Sequence, residues 1–289
     1  MTYTPSQPDP RTNAYRSDIV DVALSNDIPA AKYVEPVLRQ CVRGLLPVFE
    51  KPDVASQMVT QVRYGEFLDV FDISDGFAWV QNRTDRYVGY IPYDPHALSE
   101  EIAALSNQVN VLRTFVYPTP SMKVPPIDVL TLGSYVSVTG QEGDFYALAS
   151  GGYVYAEHVL PTEQVRTRDY TYTAGRLLNM PYLWGGRTPD GIDCSGLVQL
   201  ALTMAGIDSP RDTDLQEERY GQPLPVHWRD MRWKRGDLVF LPRPRHIVIM
   251  TGTEHAVHAC GFRMKVVTNT IEEIIQTRGE PTGFGRPEV

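Results

Sequence analysis

A glycine-rich stretch that ends in a single cysteine constrains the fold of this chain more than any other segment. Residues 180–194 read Met-Pro-Tyr-Leu-Trp-Gly-Gly-Arg-Thr-Pro-Asp-Gly-Ile-Asp-Cys. The apolar residues that follow recur at i, i+1, i+4, i+5 and i+8, the spacing of one buried helical face, and they are Leu197, Val198, Ala201, Leu202 and Ala205. Gly206 predicts the end of this helix. The pattern therefore places Cys194 at a helix N-terminus.

This position predicts a reactive thiol. Unpaired backbone N–H groups and the helix dipole favour an anion there, so we expect a lowered pKa for Cys194 and an available thiolate. The alternative is a cysteine that packs as a small hydrophobic residue.

Two histidines occupy successive strand-like runs further along the chain. His246 opens the run 246–250, and His258 lies in the run 256–259, with Gly252 at the centre of the turn between them. Pairing symmetric about Gly252 places the two imidazoles directly opposite each other, with Cβ atoms about 4.5–5.5 Å apart. One histidine could then take the thiol proton while the other orients its ring.

A zinc site is the competing interpretation of these groups. Cys194, Cys260, His246 and His258 are all possible ligands, but the sequence contains no Cys-x-x-Cys pair or tight histidine spacing. We therefore expect no metal or other cofactor, and we expect Cys260 to pack as a small hydrophobic residue.

Composition narrows the class of protein. A chain of 289 residues can form two or three domains, and its net charge of −8 argues against nucleic acid and anionic membranes as partners. The N-terminus lacks the basic start and apolar run of a signal peptide, and three cysteines do not form a disulfide framework. These features favour a cytoplasmic protein, and they leave its oligomeric state open.

The first half of the chain is predicted to contain two small β-rich domains. Short alternating runs separated by turn residues fill residues 36–95 and again residues 109–162. The run from Tyr64 through Val80 is echoed from Leu132 through Leu148, which indicates an internal duplication. Both segments resemble bacterial SH3-like barrels.

The connecting segments are predicted to be partly helical. Residues 1–35 form a leader, disordered or draped on the surface to about residue 16, with a short helix from Ser17 to Leu24. Residues 96–108 form a helical linker in which Ser99 caps a helix that runs to Leu105. Residues 162–168 form a polar linker.

Residues 163–289 are predicted to fold as an α+β domain, because a helix near residues 169–179 and the Cys194 helix precede a series of apolar strands. Six blocks follow one another here: Pro181-Tyr-Leu-Trp-Gly-Gly, Asp193-Cys-Ser-Gly-Leu-Val, Pro210-Arg-Asp-Thr-Asp-Leu-Gln216, Arg235-Gly-Asp-Leu-Val-Phe240, His246-Ile-Val-Ile-Met-Thr-Gly and Val257-His-Ala259. In this order they resemble the NlpC-type cysteine peptidases, papain-like enzymes that act on bacterial cell-wall peptides. With two preceding SH3-like barrels, the chain is most similar to the γ-D-glutamyl-L-diamino acid endopeptidase branch.

The resemblance implies a role for each matching residue. Cys194 would be the nucleophile, His246 the general base and later acid, and His258 the orienting third member. Tyr182 would line the cleft and donate its hydroxyl near the oxyanion, or simply pack as an aromatic residue. Asp193 would meet the free α-amine of the substrate, or simply cap the helix.

Four further residues match substrate-binding positions of that branch. Ser195 and Thr213 would contact the D-Glu carboxylate, although the family usually has serine at the second position. Glu66 and Tyr87, from the first barrel, would bind the substrate amine, with an exposed turn acid and a barrel aromatic as the alternatives.

The function that this resemblance implies is hydrolysis of the γ-D-Glu–diamino acid bond in released peptidoglycan peptides, as part of cell-wall recycling. Two alternatives remain open from the sequence. One is an exported hydrolase of the intact wall, and the other is an inactive module that only binds wall peptides.

Overall fold

The computed structural model describes residues 8–165, 167 and 169–288. The chain divides into two compact units, Met1–Ala104 and Leu105–Val289. Within the described ranges, no helix has the length and apolar character needed to cross a membrane. The start of the predicted leader, residues 1–7, lies outside the described residues, as do Arg166 and Arg168 of the predicted polar linker.

The first unit is built around one antiparallel sheet. Its strands are β1 (Val20–Asp21), β2 (Tyr33–Val34), β3 (Val37–Cys41), β4 (Leu45–Phe49), β5 (Met58–Arg63), β6 (Phe67–Ser74), β7 (Phe77–Asn82), β8 (Val88–Pro92) and β9 (Leu98–Ser99). Seven of them form the sheet in the order β5-β4-β8-β7-β6-β3-β9. Asp75 and Gly76 both have positive φ, as a tight two-residue hairpin between β6 and β7 requires. The predicted SH3-like N-terminal domain is confirmed.

The helix predicted from Ser17 to Leu24 is wrong for most of its length. Val20 and Asp21 pair in parallel with Tyr33 and Val34, and only the 3₁₀ turn Val22–Leu24 follows. Ile19 is buried with Ala14, Phe71 and Trp79, so tertiary packing overrides the weak local helical pattern. The described end of the predicted leader is therefore an ordered part of this unit.

The helical linker predicted at residues 96–108 is also wrong. Leu98 and Ser99 form β9 against β3, and residues 100–106 contain bends and irregular structure rather than a helix. The side chain of Gln40 bonds both the N–H and the carbonyl of Ala103, which holds this segment open. Ser99 accepts from Glu101 N–H two residues on, in a local turn that competes with a helix cap.

The second unit begins with eight short strands. They are β10 (Asn107–Val109), β11 (Arg113–Tyr117), β12 (Asp128–Thr131), β13 (Tyr135–Val136), β14 (Val138–Glu142), β15 (Phe145–Leu148), β16 (Tyr153–Tyr155) and β17 (Val159–Pro161). They form two antiparallel sheets, β12-β11-β16-β15-β14 and β13-β10-β17. The β14–β15 hairpin has Gly143 at positive φ and corresponds to the β6–β7 hairpin of the first unit, as the predicted duplication requires.

The remainder of the second unit combines helices with a five-stranded sheet. In chain order the elements are α1 (Thr162–Val165), α2 (Tyr170–Arg176), β18 (Arg187–Thr188), β19 (Gly191–Ile192), α3 (Cys194–Met204), α4 (Thr213–Tyr220), β20 (Leu238–Pro242), β21 (Arg245–Met250), β22 (His255–Cys260), β23 (Lys265–Thr270), α5 (Ile271–Arg278) and β24 (Gly283–Gly285). The sheet is antiparallel in the order β23-β22-β21-β20-β24. The predicted α+β class is confirmed.

The sheet is covered on both faces, and its strands β20 and β21 are therefore mostly apolar. Ile247 and Ile249 pack in the same core as the buried face of α3, whereas Val248 and Met250 pack with Trp228, Trp233 and the apolar residues of α5. Because α3 is buried along nearly its whole length, the position of its first residue is set by the core rather than by a loop.

We predict that Gly196→Ala disrupts the start of α3. An added Cβ would overlap the carbonyl oxygen of Gly186 and lie 3.0 Å from Asp193 Oδ1. The matched control is Gly175→Ala in α2, where an added Cβ meets nothing within 4 Å. Urea unfolding should show a loss of about 2 kcal/mol or more for Gly196→Ala, and no loss for the control, because alanine favours a helix by about 0.5–1 kcal/mol over glycine. Equal stability of the two variants would contradict this packing.

Candidate active site

The glycine-rich loop and the first turn of α3 place the thiol of Cys194. Pro181 pairs with Lys265 of β23, and Tyr182 pairs with Ile192, so the loop is fixed at both ends. Asp193 caps the helix by accepting from Gly196 N–H at 2.7 Å. Cys194 is therefore the first residue of α3, half-buried, as the sequence predicts.

Burial, rather than the helix terminus, dominates the acidity of this thiol. The pKa of Cys194 is raised from its ordinary value, chiefly by desolvation and then by the Asp193 carboxylate. The Thr213 hydroxyl, 3.8 Å from Sγ, and backbone N–H groups act in the opposite direction. The expected lowering of the pKa is thus wrong for the resting protein, in which a neutral thiol needs a base.

The two histidines meet, but in a different register from the predicted one. Ile249 pairs with Val257 and Met250 with Ala256. The residue numbers of paired positions therefore sum to 506, whereas pairing symmetric about Gly252 would give 504. Continued along the strands, this register places Cys260 opposite His246, and the two histidines become diagonal neighbours. A shift of two preserves the face on which each side chain lies. Nε2 of His246 is accordingly 2.8 Å from Nδ1 of His258.

A third side chain extends this pair. His258 Nε2 lies 3.3 Å from Oδ1 of Asn269 on the neighbouring strand β23. Both imidazoles are buried. Since His258 uses both ring nitrogens and His246 uses Nε2, Nδ1 of His246 is the nitrogen left to receive a proton. Cys194 contacts the backbone of Ile247, the next residue after His246, so the thiol approaches this end of β21.

The surroundings keep both imidazoles neutral. Burial lowers the pKa of His246 well below its ordinary value, and His258 and Arg278 lower it further. Burial also lowers the pKa of His258 to about 4, with Arg278 adding to the shift and the Asn269 hydrogen bond opposing it. A neutral imidazole beside a neutral thiol is the resting state required for proton transfer from sulfur to nitrogen.

The carboxylate of Asp193 is occupied by the protein itself. Arg211 donates to both of its oxygens, at 3.0 and 2.6 Å, and Gly185 N–H donates at 2.9 Å. Ser195 joins the same buried cluster, donating to Asp193 and accepting from Arg211. Of the two roles that the sequence left open for Asp193, the structure shows the helix cap. The hydroxyl of Ser195 is likewise engaged internally.

Tyr182 and Thr213 both lie near the thiol. Tyr182 packs with Cys194 at the edge of the core, and burial followed by the neighbouring thiol raises the pKa of its hydroxyl, which remains a proton donor. Thr213 is the first residue of α4 and presents its hydroxyl to Sγ. Both positions agree with the predicted cleft, although their roles toward a substrate stay predictions.

Glu66 and Tyr87 belong to the first unit, where both are buried. Glu66 is not an exposed turn acid, because its carboxylate accepts from the backbone and guanidinium of Arg63 and from the amide of Asn82. Tyr87 follows the turn that leads into β8. The predicted contact of these two residues with a substrate amine stays a prediction.

A zinc site would need at least three of the four possible ligands to converge. The described residues contain no group of three or more histidine, cysteine or acidic side chains arranged to hold a metal ion. The nearest approach between possible ligands is the direct hydrogen bond between the two imidazoles. Cys260 is buried at the end of β22, as predicted.

Sequence reasoning missed three residues of this site. Arg211 lies in the block from Pro210 to Gln216, two residues before Thr213. This position beside a predicted site residue could have indicated its role. Asn269 lies near His258 because β22 pairs with β23. The register of this pairing was not predicted from the sequence. Arg278, at the end of α5, is buried with its guanidinium 4.4 Å from the ring of Phe262. No local pattern marks it, since only the fold brings it close to the histidines.

Comparison with known proteins agrees with this geometry. Residues 179–278 match the NlpC/P60 family, and residues 48–94 match the bacterial dipeptidyl-peptidase Sh3 domain. The chain is 28% identical over 248 residues to dipeptidyl-peptidase 6 of Lysinibacillus sphaericus, covering 78% of this chain and 89% of the relative. It is 23% identical over 235 residues to γ-D-glutamyl-L-lysine dipeptidyl-peptidase of Bacillus cereus, covering 71% and 68%.

The fold also has a counterpart among solved structures. An NlpC/P60 family protein from Bacillus cereus superposes with a TM-score of 0.69 at 18% identity, covering 86% of this chain and 99% of that one. At this identity the likeness shows the fold alone.

We predict that Arg211→Met destabilises the second unit by about 3–5 kcal/mol, because it leaves the buried carboxylate of Asp193 without its cation. The matched control is Arg235→Met, which removes a guanidinium 2.7 Å from Asp169 in a pair whose side chains are 49% and 45% exposed. The control should cost only about 0–1 kcal/mol. Urea unfolding followed by tryptophan fluorescence compares the two, and similar losses would contradict the importance of the buried pair.

We also predict a pH dependence of stability to which His258 makes a measurable contribution. Because its pKa is about 4 in the folded protein and about 6.5 when unfolded, the unfolded chain binds the extra proton between these values. The contribution is present above pH 6.5 and is lost as the pH falls toward 4, by about 3 kcal/mol in total.

Urea titrations at several pH values between 7.5 and 4 measure this loss. His258→Gln should have a shallower pH dependence than the wild type, whereas His255→Gln, which changes an exposed histidine of the same strand, should follow the wild type. Parallel curves for all three proteins would contradict the buried neutral imidazole.

Proposed function

Because this chain contains an NlpC/P60 cysteine peptidase domain preceded by a bacterial dipeptidyl-peptidase SH3 domain, we propose that it hydrolyses the γ-D-Glu–diamino acid bond of short peptidoglycan peptides with a free N-terminus. One observation supports the chemistry above all others. A thiol at the start of a buried helix lies beside the strand of a neutral, hydrogen-bonded histidine pair. The substrate class is supported by the two dipeptidyl-peptidase relatives.

The reaction begins with proton transfer from Sγ of Cys194 to Nδ1 of His246. The thiolate attacks the γ-carbonyl carbon of D-Glu, and the carbonyl oxygen becomes an oxyanion. The backbone N–H of Cys194 and the hydroxyl of Tyr182 are the donors proposed to stabilise it. Collapse of this intermediate breaks the C–N bond, and the leaving amine takes the proton from His246. An acyl-thioester remains on Cys194.

Water completes the reaction. His246 takes a proton from the attacking water, the second tetrahedral intermediate collapses, and the protonated thiol and the free γ-carboxyl group of L-Ala-D-Glu are produced. His258 and Asn269 hold the ring of His246 throughout. The low pKa values of the imidazoles favour the return of the proton at each step, so His246 acts as base and then as acid.

The D-Glu α-carboxylate is proposed to bind at the start of α4. Thr213 presents its hydroxyl there, next to backbone N–H groups that favour an anion. Ser195 would contribute through the Asp193–Arg211 cluster that it completes. A carboxylate at this point positions the γ-carbonyl over Sγ, since Thr213 and Cys194 are neighbours.

We propose further that the substrates are released wall fragments and that the protein acts in the cytoplasm, in recycling. Its three cysteines are unpaired, as is usual in a reducing compartment. An exported hydrolase is distinguished by its substrate, because it would release peptides from intact sacculi. A module that only binds wall peptides would hydrolyse neither released fragments nor intact sacculi.

The decisive assay uses L-Ala-γ-D-Glu-diaminopimelate, its N-acetylated form and purified sacculi as parallel substrates. We expect rapid cleavage of the free tripeptide, little cleavage of the blocked one and no release from sacculi. Cys194→Ala should lower kcat by at least about 10⁴-fold. The control, Cys260→Ala, removes another thiol of the same domain and should remain close to wild type.

Each arm tests a separate part of the proposal. Activity that survives in Cys194→Ala would exclude the nucleophile. Equal cleavage of free and blocked tripeptide would exclude recognition of the amine, and preferential release from sacculi would favour the exported hydrolase.

A further inference from the structure

The junction between β23 and α5 contains a carboxylate with two different partners. Glu273 and Thr270 form a reciprocal capping box, in which Oε2 of Glu273 accepts from Thr270 N–H at 3.1 Å and Thr270 Oγ1 accepts from Glu273 N–H at 3.2 Å. The same Oε2 also accepts from Nδ2 of Asn269 at 2.9 Å. The capping acid of α5 is therefore hydrogen bonded to the amide that supports His258.

The side-chain amide of Asn269 lies between the Glu273 carboxylate and the His258 imidazole, and this position gives the amide a preferred orientation. Ionised Glu273 can only accept hydrogen bonds, so it holds the NH₂ group of Asn269 and turns Oδ1 toward His258. The opposite orientation would place Oδ1 against the carboxylate. The pKa of Glu273 is lowered by the Asn269 amide and then by the Thr270 N–H, so the group stays ionised at neutral pH.

The direction of this amide determines the tautomer of both rings. Oδ1 is an acceptor, so Nε2 of His258 must donate, and in a neutral ring Nδ1 of His258 is then an acceptor. Nε2 of His246 must donate to it across 2.8 Å. The remaining nitrogen, Nδ1 of His246, is left with a lone pair, as a base requires.

We propose that Glu273 is a positioning residue that sets the tautomer of His246 through Asn269 and His258. It contacts neither the thiol nor a substrate. Without an acceptor at position 273 the Asn269 amide can turn over, His258 can protonate Nδ1 instead of Nε2, and His246 can carry its proton on the nitrogen that should receive one. The chemical role of this inference rests on the proposed function, whereas the tautomers are a property of the resting protein.

The test compares Glu273→Ala, Glu273→Asp and Thr270→Val. Glu273→Ala removes the acceptor, and Glu273→Asp restores a carboxylate. Thr270→Val is the matched control, because it weakens the same capping box while the Glu273 carboxylate and Asn269 remain. ¹⁵N spectra of the imidazoles report the tautomers, and steady-state kinetics on the free tripeptide report kcat and KM.

We expect wild type, Glu273→Asp and Thr270→Val to show an unprotonated Nδ1 and a protonated Nε2 in His246. Glu273→Ala should show a mixture of tautomers and a kcat about tenfold lower, with KM little changed. This loss is smaller than the roughly 10⁴-fold cost of a wrong tautomer imposed directly on a catalytic histidine, because water can replace an exposed acceptor in part. Thr270→Val should lose thermal stability without these changes.

Two results would overturn the inference. One is an unchanged imidazole spectrum in Glu273→Ala, and the other is an equal loss of kcat in Thr270→Val, which would assign the effect to the helix cap. Failure of the proposed function is distinguishable, because a wild type that cleaves no tripeptide would still show the tautomer shift in Glu273→Ala.

Discussion

The buried ion pair between Asp193 and Arg211 is the interaction on which the arrangement of the catalytic domain depends. One carboxylate caps α3, holds the glycine-rich loop through Gly185 and accepts the guanidinium fork. Arg211 also donates to the Gly186 carbonyl at 3.3 Å. The glycine-rich loop, the helix α3 and the segment before Thr213 therefore meet at one cluster. Because desolvation of two charges is costly, such a pair is tolerated only where its remaining hydrogen bonds are satisfied, as they are here.

The charged groups of this site have a structural role, whereas the groups proposed to react are uncharged at rest. Asp193 and Arg211 neutralise each other beside the thiol, while burial keeps Cys194, His246 and His258 uncharged at rest. A thiolate–imidazolium pair is thus a state reached during reaction rather than one stored in the resting site. Arg278 adds to the lowering of both histidine pKa values, which in the proposed mechanism favours return of the proton to the leaving amine.

The sequence was sufficient for the features that depend on local pattern. The helical spacing from Leu197, the end of α3 just before Gly206 and the turn that contains Gly252 were predicted, because glycine, capping residues and periodicity act within a few positions. The predicted pairing of His246 directly opposite His258 was wrong by two residues in register, but the contact between the two rings is present, since an even shift retains the face of each side chain. The thiol pKa was predicted in the wrong direction because burial is a property of the whole fold. The helices predicted at Ser17 and Ser99 failed because strand pairing and the Gln40 side chain, both supplied by residues distant in sequence, fix those segments in other conformations.

The groups proposed to react come from separate secondary-structure elements, and this has a consequence for the newly synthesised chain. The thiol begins a helix, the histidine proposed as its base lies on a strand more than fifty residues later, and the acid that we propose to direct that histidine begins another helix. An unfolded or half-synthesised chain therefore contains an ordinary cysteine and ordinary histidines, without a directed base. Under the proposed mechanism, peptidase chemistry requires that the sheet and both helices have assembled, so folding itself would act as the activation step.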